Sequence, residues 1–183
     1  GLTGGENAAS GVIEDLSDIL RVTMETENYL IPIQEEILYA KKYIRIQQIR
    51  YKNKFMVHWE FREEILDSLI AKVSLQPLIE NSIYHGIKPK KEPGGIWIIG
   101  RKEGDRVRIT LSDDGVGMND DEMDQLNEEL RNCYVQSDRH IGVRNVNQRL
   151  KLIFGEEYGI TLFGREHGGL QVNIVIPDLK QYL

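Results

Sequence analysis

Polar side chains that suit phosphate chemistry lie close together in the segment LQPLIENSIYHGI. Its apolar residues recur at helical spacing, so its polar residues gather on the other side of a predicted helix. These polar residues are Glu80, Asn81, Tyr84 and His85. An amide oxygen beside a carboxylate suits a hard cation that holds phosphates, and Mg²⁺ is the natural candidate. The alternative is an ordinary solvated helix face.

A second candidate segment, SDDGVGM, directly follows a predicted strand and ends at Met118. Gly115 and Gly117 would let the backbone approach a flat ligand closely. Asp113 can accept hydrogen bonds from an exocyclic amine, such as that of adenine. The alternative is a simple tight turn after the strand.

A third candidate segment, HIGVRNVNQRL, places Gly142 at the predicted start of a helix. The free N–H groups and the positive dipole end of a helix start favour a phosphate. Arg139 and Arg144 could add positive charge there. Glycine at a helix start is common, so this segment alone is a weak signal.

The elements that must position these segments are predicted from the spacing of apolar residues. Residues 1–11 are rich in glycine and small polar residues, which indicates a flexible lead-in. Residues 12–52 are predicted to form two helices separated at Pro32, the second of which needs a partner helix for its apolar side. Residues 53–183 are predicted to form the domain that contains all three candidate segments.

Within that domain, alternating patterns indicate strands and helical spacing indicates helices. The predicted strands are 55–61, 96–99, 106–111 and two within 160–176, and the predicted helices are 75–83, 119–136 and 143–153. The pattern favours an α+β fold, a two-layer α/β sandwich whose mixed, mostly antiparallel sheet is covered on one face by helices. Segment 119–139 is predicted to be a mobile lid, with a fixed surface helix as the alternative.

Composition excludes several classes of function. The chain has 183 residues, and 23 basic against 29 acidic residues give a net charge of −6, which disfavours a nucleic-acid surface. No apolar run approaches the roughly 20 residues that cross a bilayer, so we expect no membrane contact by this part of the protein. Cys133 is the single cysteine and cannot form an internal disulfide, which favours a reducing cytoplasmic setting.

The three segments, in this order and with these gaps, resemble the N, G1 and G2 boxes of the GHKL superfamily. The phrases LQPLIEN, RNVNQRL and KKYIRIQQIRY are similar to those of sensor histidine kinases of the YesM/LytS type. The likeness extends from Val12 to the C-terminus. It implies a GHKL (Bergerat-type) ATP-binding domain, with ATP and Mg²⁺ bound, in the cytoplasmic portion of a membrane-anchored bacterial receptor.

The resemblance implies a role for each matching residue. Glu80 and Asn81 would be catalytic, and Asn81 would be the Mg²⁺ ligand. The residues implied to bind ATP are Asn81, His85, Lys88, Asp113, Gly115, Gly117, Met118, Arg139, Gly142, Val143 and Asn145. Asp113 would hold the adenine amino group, and the two glycines after it would make room for the base.

Four positions depart from the family pattern. Tyr84 stands where lysine is frequent, and His140 takes the place of the first glycine of the G2 box, which predicts a stiffer loop. Leu170 follows a glycine pair where threonine is common. Pro77 replaces a polar residue one turn before Asn81, which is typical of the YesM-type phrasing.

The phosphate-accepting histidine of the family lies in a His-Phe phrase that this sequence lacks. None of the four histidines falls in the two predicted N-terminal helices, so we expect phosphate transfer to a histidine outside this sequence and no self-labelling. Onward transfer to a response-regulator receiver domain, and a homodimer through the helical region, are also implied. The alternatives are a non-catalytic GHKL-fold interaction module and a GHKL ATPase that hydrolyses ATP with water.

Overall fold

The computed structural model describes residues 3–24, 29–132 and 139–180. The helices are α1 (Thr3–Met24), α2 (Ile33–Arg50), α3 (Leu75–Asn81), α4 (Asp120–Asn132) and α5 (Ile141–Phe154). The strands are β1 (Leu30–Pro32), β2 (Phe55–Phe61), β3 (Leu69–Ala71), β4 (Gly94–Glu103), β5 (Arg106–Asp113), β6 (Gly159–Gly164) and β7 (Leu170–Pro177). A 3₁₀ turn, Glu63–Ile65, precedes β3.

The main sheet has five strands in the order β2-β4-β5-β7-β6. The β2–β4 pair is parallel and the other three pairs are antiparallel. Along β5, Val107, Ile109 and Leu111 are fully buried, and they belong to the same core as residues of α3, α4 and α5. The prediction of a two-layer sandwich with a mixed, mostly antiparallel sheet is therefore confirmed.

The helical N-terminal part differs from the prediction in two respects. Helix α1 begins at Thr3, so residues 3–11 are helical where a flexible lead-in was predicted. The short β1–β3 ladder was not foreseen, because three residues on each side are too few for a clear alternating pattern. Ion pairs from Arg45 to Asp15 and from Lys42 to Asp18 connect α2 to α1.

Helix α2 ends at Arg50, close to the predicted end near Tyr51. Its first half is buried in the same core as the sheet, through Ile33, Ile37 and Ala40. The division into residues 12–52 and 53–183 stays a prediction, since α2 shares its core with the sheet domain.

The helix that contains Asn81 is not regular throughout. Helix α3 is an α-helix up to Asn81, and residues Ser82–Ile87 then form a π-helical turn. The regular helix predicted for this segment is therefore correct only for its first part. Such π turns are rare and often occur at functional sites, since they displace side chains from the regular α spacing.

The predicted lid contains a helix that is packed on the sheet. In α4, Met123, Leu126 and Leu130 are buried, and both ends of the Asn127 amide bond the backbone of Leu162 at 2.8 Å. For residues 120–132 the structure therefore agrees with the alternative of a fixed surface helix. Residues 133–138 of the predicted lid, including Cys133, lie outside the described residues. Within the parts that the structure describes, no helix is both long and apolar enough to cross a membrane.

Candidate nucleotide-binding site

The three candidate segments meet around one cavity of about 130 Å³. It lies between α3 with its π turn, the end of β5, and the start of α5. The cavity is lined by Asn81, His85, Gly86, Asp113, Gly117, Met118, Glu122, His140 and Leu170. The fold thus brings together residues that are up to 89 positions apart between Asn81 and Leu170.

Asp113 forms the buried end of this cavity. Its side chain belongs to the last residue of β5, and the residue is only 1% exposed. Its Oδ1 atom accepts hydrogen bonds from the N–H groups of Gly115 at 2.9 Å and Leu170 at 3.4 Å. Burial raises the pKa of the Asp113 carboxyl, while the Gly115 N–H group lowers it. The result is an oriented acceptor at the buried end of the cavity, which suits an exocyclic amine.

In the second segment, Gly115 allows two parts of the protein backbone to approach each other closely. A Cβ atom on Gly115 would lie 2.4 Å from the backbone of Gly86. The turn after β5 therefore packs directly on the π turn, and the role of Gly115 in making room for the base stays a prediction. Gly117 has a φ of +73°, a conformation that glycine adopts without strain, and it lines the cavity.

Gly169 was missed as a site residue. A Cβ atom there would lie 1.9 Å from the carbonyl oxygen of Asp113, and its φ is +93°. The glycine pair before β7 thus lets that strand start directly against Asp113. Gly86 and Glu122 were also missed. Gly86 stands within the quoted first segment, so its position beside the polar residues could have indicated it, whereas Glu122 reaches the cavity from α4 only through the tertiary fold.

Asn81, His140 and Glu122 form a chain of polar contacts across the cavity. The Oδ1 atom of Asn81 lies 3.2 Å from Nδ1 of His140, and Nε2 of His140 lies 3.3 Å from Oε1 of Glu122. His85 packs beside them, with its ring centroid 5.2 Å from that of His140. Burial lowers the pKa of His85, and the nearby His140 lowers it further.

His140 is held in the left-handed conformation, with φ 56° and ψ 37°, at the residue that precedes α5. Glycine adopts this conformation most easily, and histidine is among the other residues that tolerate it. The structure thus gives a reason why glycine is usual at this position.

A second cavity of about 310 Å³ lies outside the first, at the start of α5. The two cavities share Asn81, His85 and His140 in their walls. Its other lining residues are Pro77, Glu80, Tyr84, Arg139, Ile141, Gly142 and Val143. Among the described residues no side chain caps the start of α5, which leaves its first N–H groups available to an anion.

Gly142 also has a packing role. A Cβ atom on it would lie 3.2 Å from Cβ of Pro77, so glycine allows α5 to approach α3. Glu80 is exposed and lines only the outer cavity. Arg139 lines that cavity too, and its guanidinium lies 3.6 Å from Glu122.

Some predicted residues line neither cavity, and their roles stay predictions. Lys88 and Asn145 are exposed and line neither cavity, and the Lys88 ammonium instead lies 4.5 Å from the centroid of the Tyr84 ring. Arg144 was expected to add charge for phosphates. It is 8% exposed and forms an ion pair with the equally buried Glu129 of α4, so its charge is neutralised within the protein. Glu129 gave no local signal, because it is 15 residues away in sequence.

The donor set fits a magnesium ion that is bound together with a nucleotide. Among residues 3–24, 29–132 and 139–180, no group of three or more His, Cys, Asp or Glu side chains could hold a metal by itself. Asn81 offers one amide oxygen, and Mg²⁺ commonly takes one or two protein ligands and completes its shell with phosphates and water. The nucleotide would have to bring the remaining ligands.

Residues 70–180 match the family described as histidine kinase-, DNA gyrase B- and HSP90-like ATPases, and residues 2–55 match a family described as histidine kinase. The chain therefore belongs to the family of histidine kinase-, DNA gyrase B- and HSP90-like ATPases.

Its curated relatives include sensor histidine kinase YesM of Bacillus subtilis, which is 30% identical over 168 residues. Sensor protein kinase HptS of Staphylococcus aureus is 28% identical over 169 residues. Each match covers 92% of this chain but only 27% and 32% of the respective relative. The chain thus spans about a third of their length or less.

Solved structures confirm the fold. The nucleotide-free catalytic domain of histidine kinase ThkA superposes with a TM-score of 0.60 at 16% identity, covering 83% of this chain and 97% of that one. Full-length ShkA in complex with AMPPNP gives 0.59 at 19% identity, covering 94% of this chain and 36% of that one. The fold and the sequence relatives both identify the chain as the ATP-binding catalytic region of a sensor histidine kinase.

Proposed function

We propose that this chain binds ATP with Mg²⁺ and presents the γ-phosphate to a histidine that is not one of its own four. The observation that carries this proposal is the meeting of Asp113 and Asn81 in one cavity. Asp113 would accept a hydrogen bond from the adenine amine at the buried end. Asn81, at the wall shared by the two cavities, would hold Mg²⁺ through its amide oxygen.

The outer cavity would take the phosphates. Its wall contains the free N–H groups at the start of α5, near Gly142 and Val143, and these favour negative charge. Phosphoryl transfer depends mainly on positioning and charge stabilisation, so such a wall supplies much of what the reaction needs. With Mg²⁺ bound, the negative charge of the phosphates would be partly neutralised.

Glu80 is the candidate for orienting the acceptor imidazole. Its side chain is exposed at the outer cavity, where an incoming histidine from another segment could reach it. Imidazole is already a nucleophile, so a carboxylate here would position the ring rather than activate it. One turn before Asn81, Pro77 offers no carboxylate, which disfavours activation of water and therefore the hydrolase alternative.

The wider assignments rest on the relatives. HptS and YesM are sensor kinases by name, and ThkA has been solved in complex with a response regulator protein, TrrA. We infer that a receiver domain accepts the phosphate downstream and that the parent protein is a membrane-anchored receptor with this region in the cytoplasm. Exposed apolar residues on the helical region support a homodimer there: Ile13, Leu16, Leu38 and Ile49.

Calorimetric titration with a non-hydrolysable ATP analogue, with and without MgCl₂, tests the proposal. We expect binding that strengthens when Mg²⁺ is present. Absence of binding in both conditions would favour the non-catalytic interaction module. Steady release of phosphate from ATP by the isolated chain would favour the hydrolase.

A further inference from the structure

Glu36 of α2 reaches into the sheet domain and caps the start of α3. The residue is 3% exposed. Its Oε1 atom accepts hydrogen bonds from the N–H groups of Ser74 at 2.8 Å and Leu75 at 3.1 Å. Its Oε2 atom accepts one from Val73 at 3.0 Å. These are donors at the start of a helix, which normally need a local capping side chain or water.

No side chain close to these N–H groups in sequence caps them. Ser74 stands at the capping position of α3, but its hydroxyl donates to the carbonyl of Ala71 instead. Val73 is held at φ 59°, an unfavourable conformation for a β-branched residue. The turn of residues 72–75, here called the α3 turn, therefore depends on a carboxylate that is 37 to 39 residues away in sequence.

The same turn is held from the opposite side by α5. The Arg149 guanidinium donates to the carbonyl of Lys72 and, at 3.5 Å, to that of Val73. Arg149 and Glu36 also attract each other electrostatically. The α3 turn is thus clamped between a carboxylate of α2 and a guanidinium of α5.

The two helices that meet at this turn, α3 and α5, also line the candidate site. Helix α3 has only seven residues, and it runs from the α3 turn to Asn81. Leu75, Leu78 and Ile79 are fully buried, so we expect this short helix to shift as one rigid piece. At about 1.5 Å per residue, Asn81 lies about 9 Å from the start of α3, and a shift at the start reaches it directly.

Helix α2 is hydrogen-bonded both to the sheet domain and to α1. Its first N–H groups, of Ile33 and Gln34, donate to the carbonyls of Ser68 and Leu66 in the nucleotide domain. Further along, Arg45 donates to Asp15 of α1 at 3.0 Å. A displacement of α2 relative to the sheet would therefore act on the α3 turn through Glu36.

We propose that Glu36 is a positioning residue that couples the placement of α2 to the placement of Asn81. This inference rests on the proposed function, since it assigns a control of the same nucleotide site. A merely structural cap would stabilise the fold and leave the nucleotide affinity of folded molecules unchanged. A coupling residue changes that affinity and, by reciprocity, lets the nucleotide change the protection of α2.

The test compares the full chain with its E36Q and E35Q variants. Glutamine preserves the volume of Glu36 but replaces one acceptor oxygen with an NH₂ group that faces N–H donors. Glu35 lies in the same helical turn, and its side chain accepts a hydrogen bond from the Tyr39 hydroxyl at 3.3 Å, so E35Q is the matched control. ADP with MgCl₂ is the probe, and each variant is measured well below its unfolding midpoint.

We expect E36Q to bind ADP about tenfold more weakly, within the usual range of coupling between sites. In the wild type and E35Q, ADP should slow amide hydrogen exchange in residues 33–50, and in E36Q this protection should disappear. Equal ADP affinity and equal α2 protection in all three proteins would overturn the proposal and leave Glu36 as a structural cap.

A wild type that does not bind ADP would refute the proposed function, and the coupling would then be judged from exchange without ligand. Faster exchange in E36Q that extends through Asn81 and the π turn would support the coupling. Faster exchange limited to Val73, Ser74 and Leu75 would overturn it. The two failures are therefore distinguishable.

Discussion

The Nδ1 atom of His140 lies 3.2 Å from Oδ1 of Asn81, the oxygen that is proposed to hold Mg²⁺. While this contact exists, the His140 ring stands in the wall between the inner and outer cavities. A Mg²⁺ ion that used this oxygen would have to break the contact with His140. We therefore expect His140 to compete with the ligand for Asn81.

Replacing His140 by glycine should strengthen the binding of ADP with Mg²⁺ by a few-fold, because the competing contact is lost. The stability of the fold should change little. Glycine relieves a left-handed conformation that costs other residues about 1–2 kcal/mol, which offsets the lost packing of the ring. Calorimetric titration and chemical denaturation measure the two quantities.

H140A is the matched control, because it removes the ring but keeps a residue with a Cβ atom at φ 56°. We expect H140A to gain affinity like H140G while being less stable than it by about 1 kcal/mol. Weaker binding in both variants would show instead that His140 contacts the nucleotide.

Asp113→Asn should separate binding from stability. Burial raises the pKa of this carboxyl, so the folded protein holds the proton more tightly than the unfolded chain does. Stability is then lost as the pH rises from the ordinary Asp value, about 4, through the raised folded value. At pH 7 the wild type carries this penalty and the asparagine variant does not.

We therefore expect D113N to be at least as stable as the wild type at pH 7, with the advantage disappearing below about pH 4. Its affinity for ATP should fall by at least about tenfold, since a hydrogen bond to a charged group is lost. D114N is the control, because Asp114 bonds Lys90 and Gly95 but does not line the cavity. A D113N protein that binds ATP normally would refute the adenine contact.

The parts of the site that local patterns describe were predictable. Asp113 ends a strand with clear alternation, and Asn81 lies on a helix with a clear apolar side. The fold places both in one cavity, as the order of the three segments indicated. Strand β5 and helix α5 likewise follow from periodicity, because their buried residues recur at regular spacing.

The remaining features depend on partners that are distant in sequence. Nothing near Arg144 indicates that Glu129 neutralises it, and nothing near Glu36 indicates that it caps α3. The π turn after Asn81 has no pattern of its own, since its apolar residues also fit an α-helix. Contacts of this kind are set by how the helices pack, which periodicity does not specify.

Gly115→Ala should destabilise the fold by about 1–3 kcal/mol, the usual effect of overpacking. The new Cβ atom would lie 2.4 Å from the Gly86 backbone, so the turn after β5 and the π turn must separate. Because both line the cavity, ATP binding should weaken as well. The free energy of unfolding and the ATP affinity are measured by denaturation and calorimetry.

Gly11→Ala gives the opposite expectation in the same assay. Gly11 lies within α1, and no atom stands within 4 Å of a Cβ atom built there. Alanine should therefore leave the fold equally stable or stabilise it by up to about 1 kcal/mol, with unchanged ATP affinity. If G115A were as stable as G11A, the close contact between the two turns would be unimportant.

The chain should not label itself with phosphate from radioactive ATP. His58 lies on β2 and His167 in the turn before β7, both away from the cavities. His85 and His140 do line the cavities, but they stand where the nucleotide itself is proposed to bind. A residue in that wall would lie beside the bound nucleotide, whereas the acceptor must attack in line with the bond that breaks. After incubation with ATP and Mg²⁺, we therefore expect no acid-labile label, measured by filter binding with and without acid.

The H85A and H140A variants complete the experiment. An acid-labile label that either variant abolishes would identify a wall histidine as the acceptor. That result would contradict the proposal that the acceptor is a histidine outside this sequence.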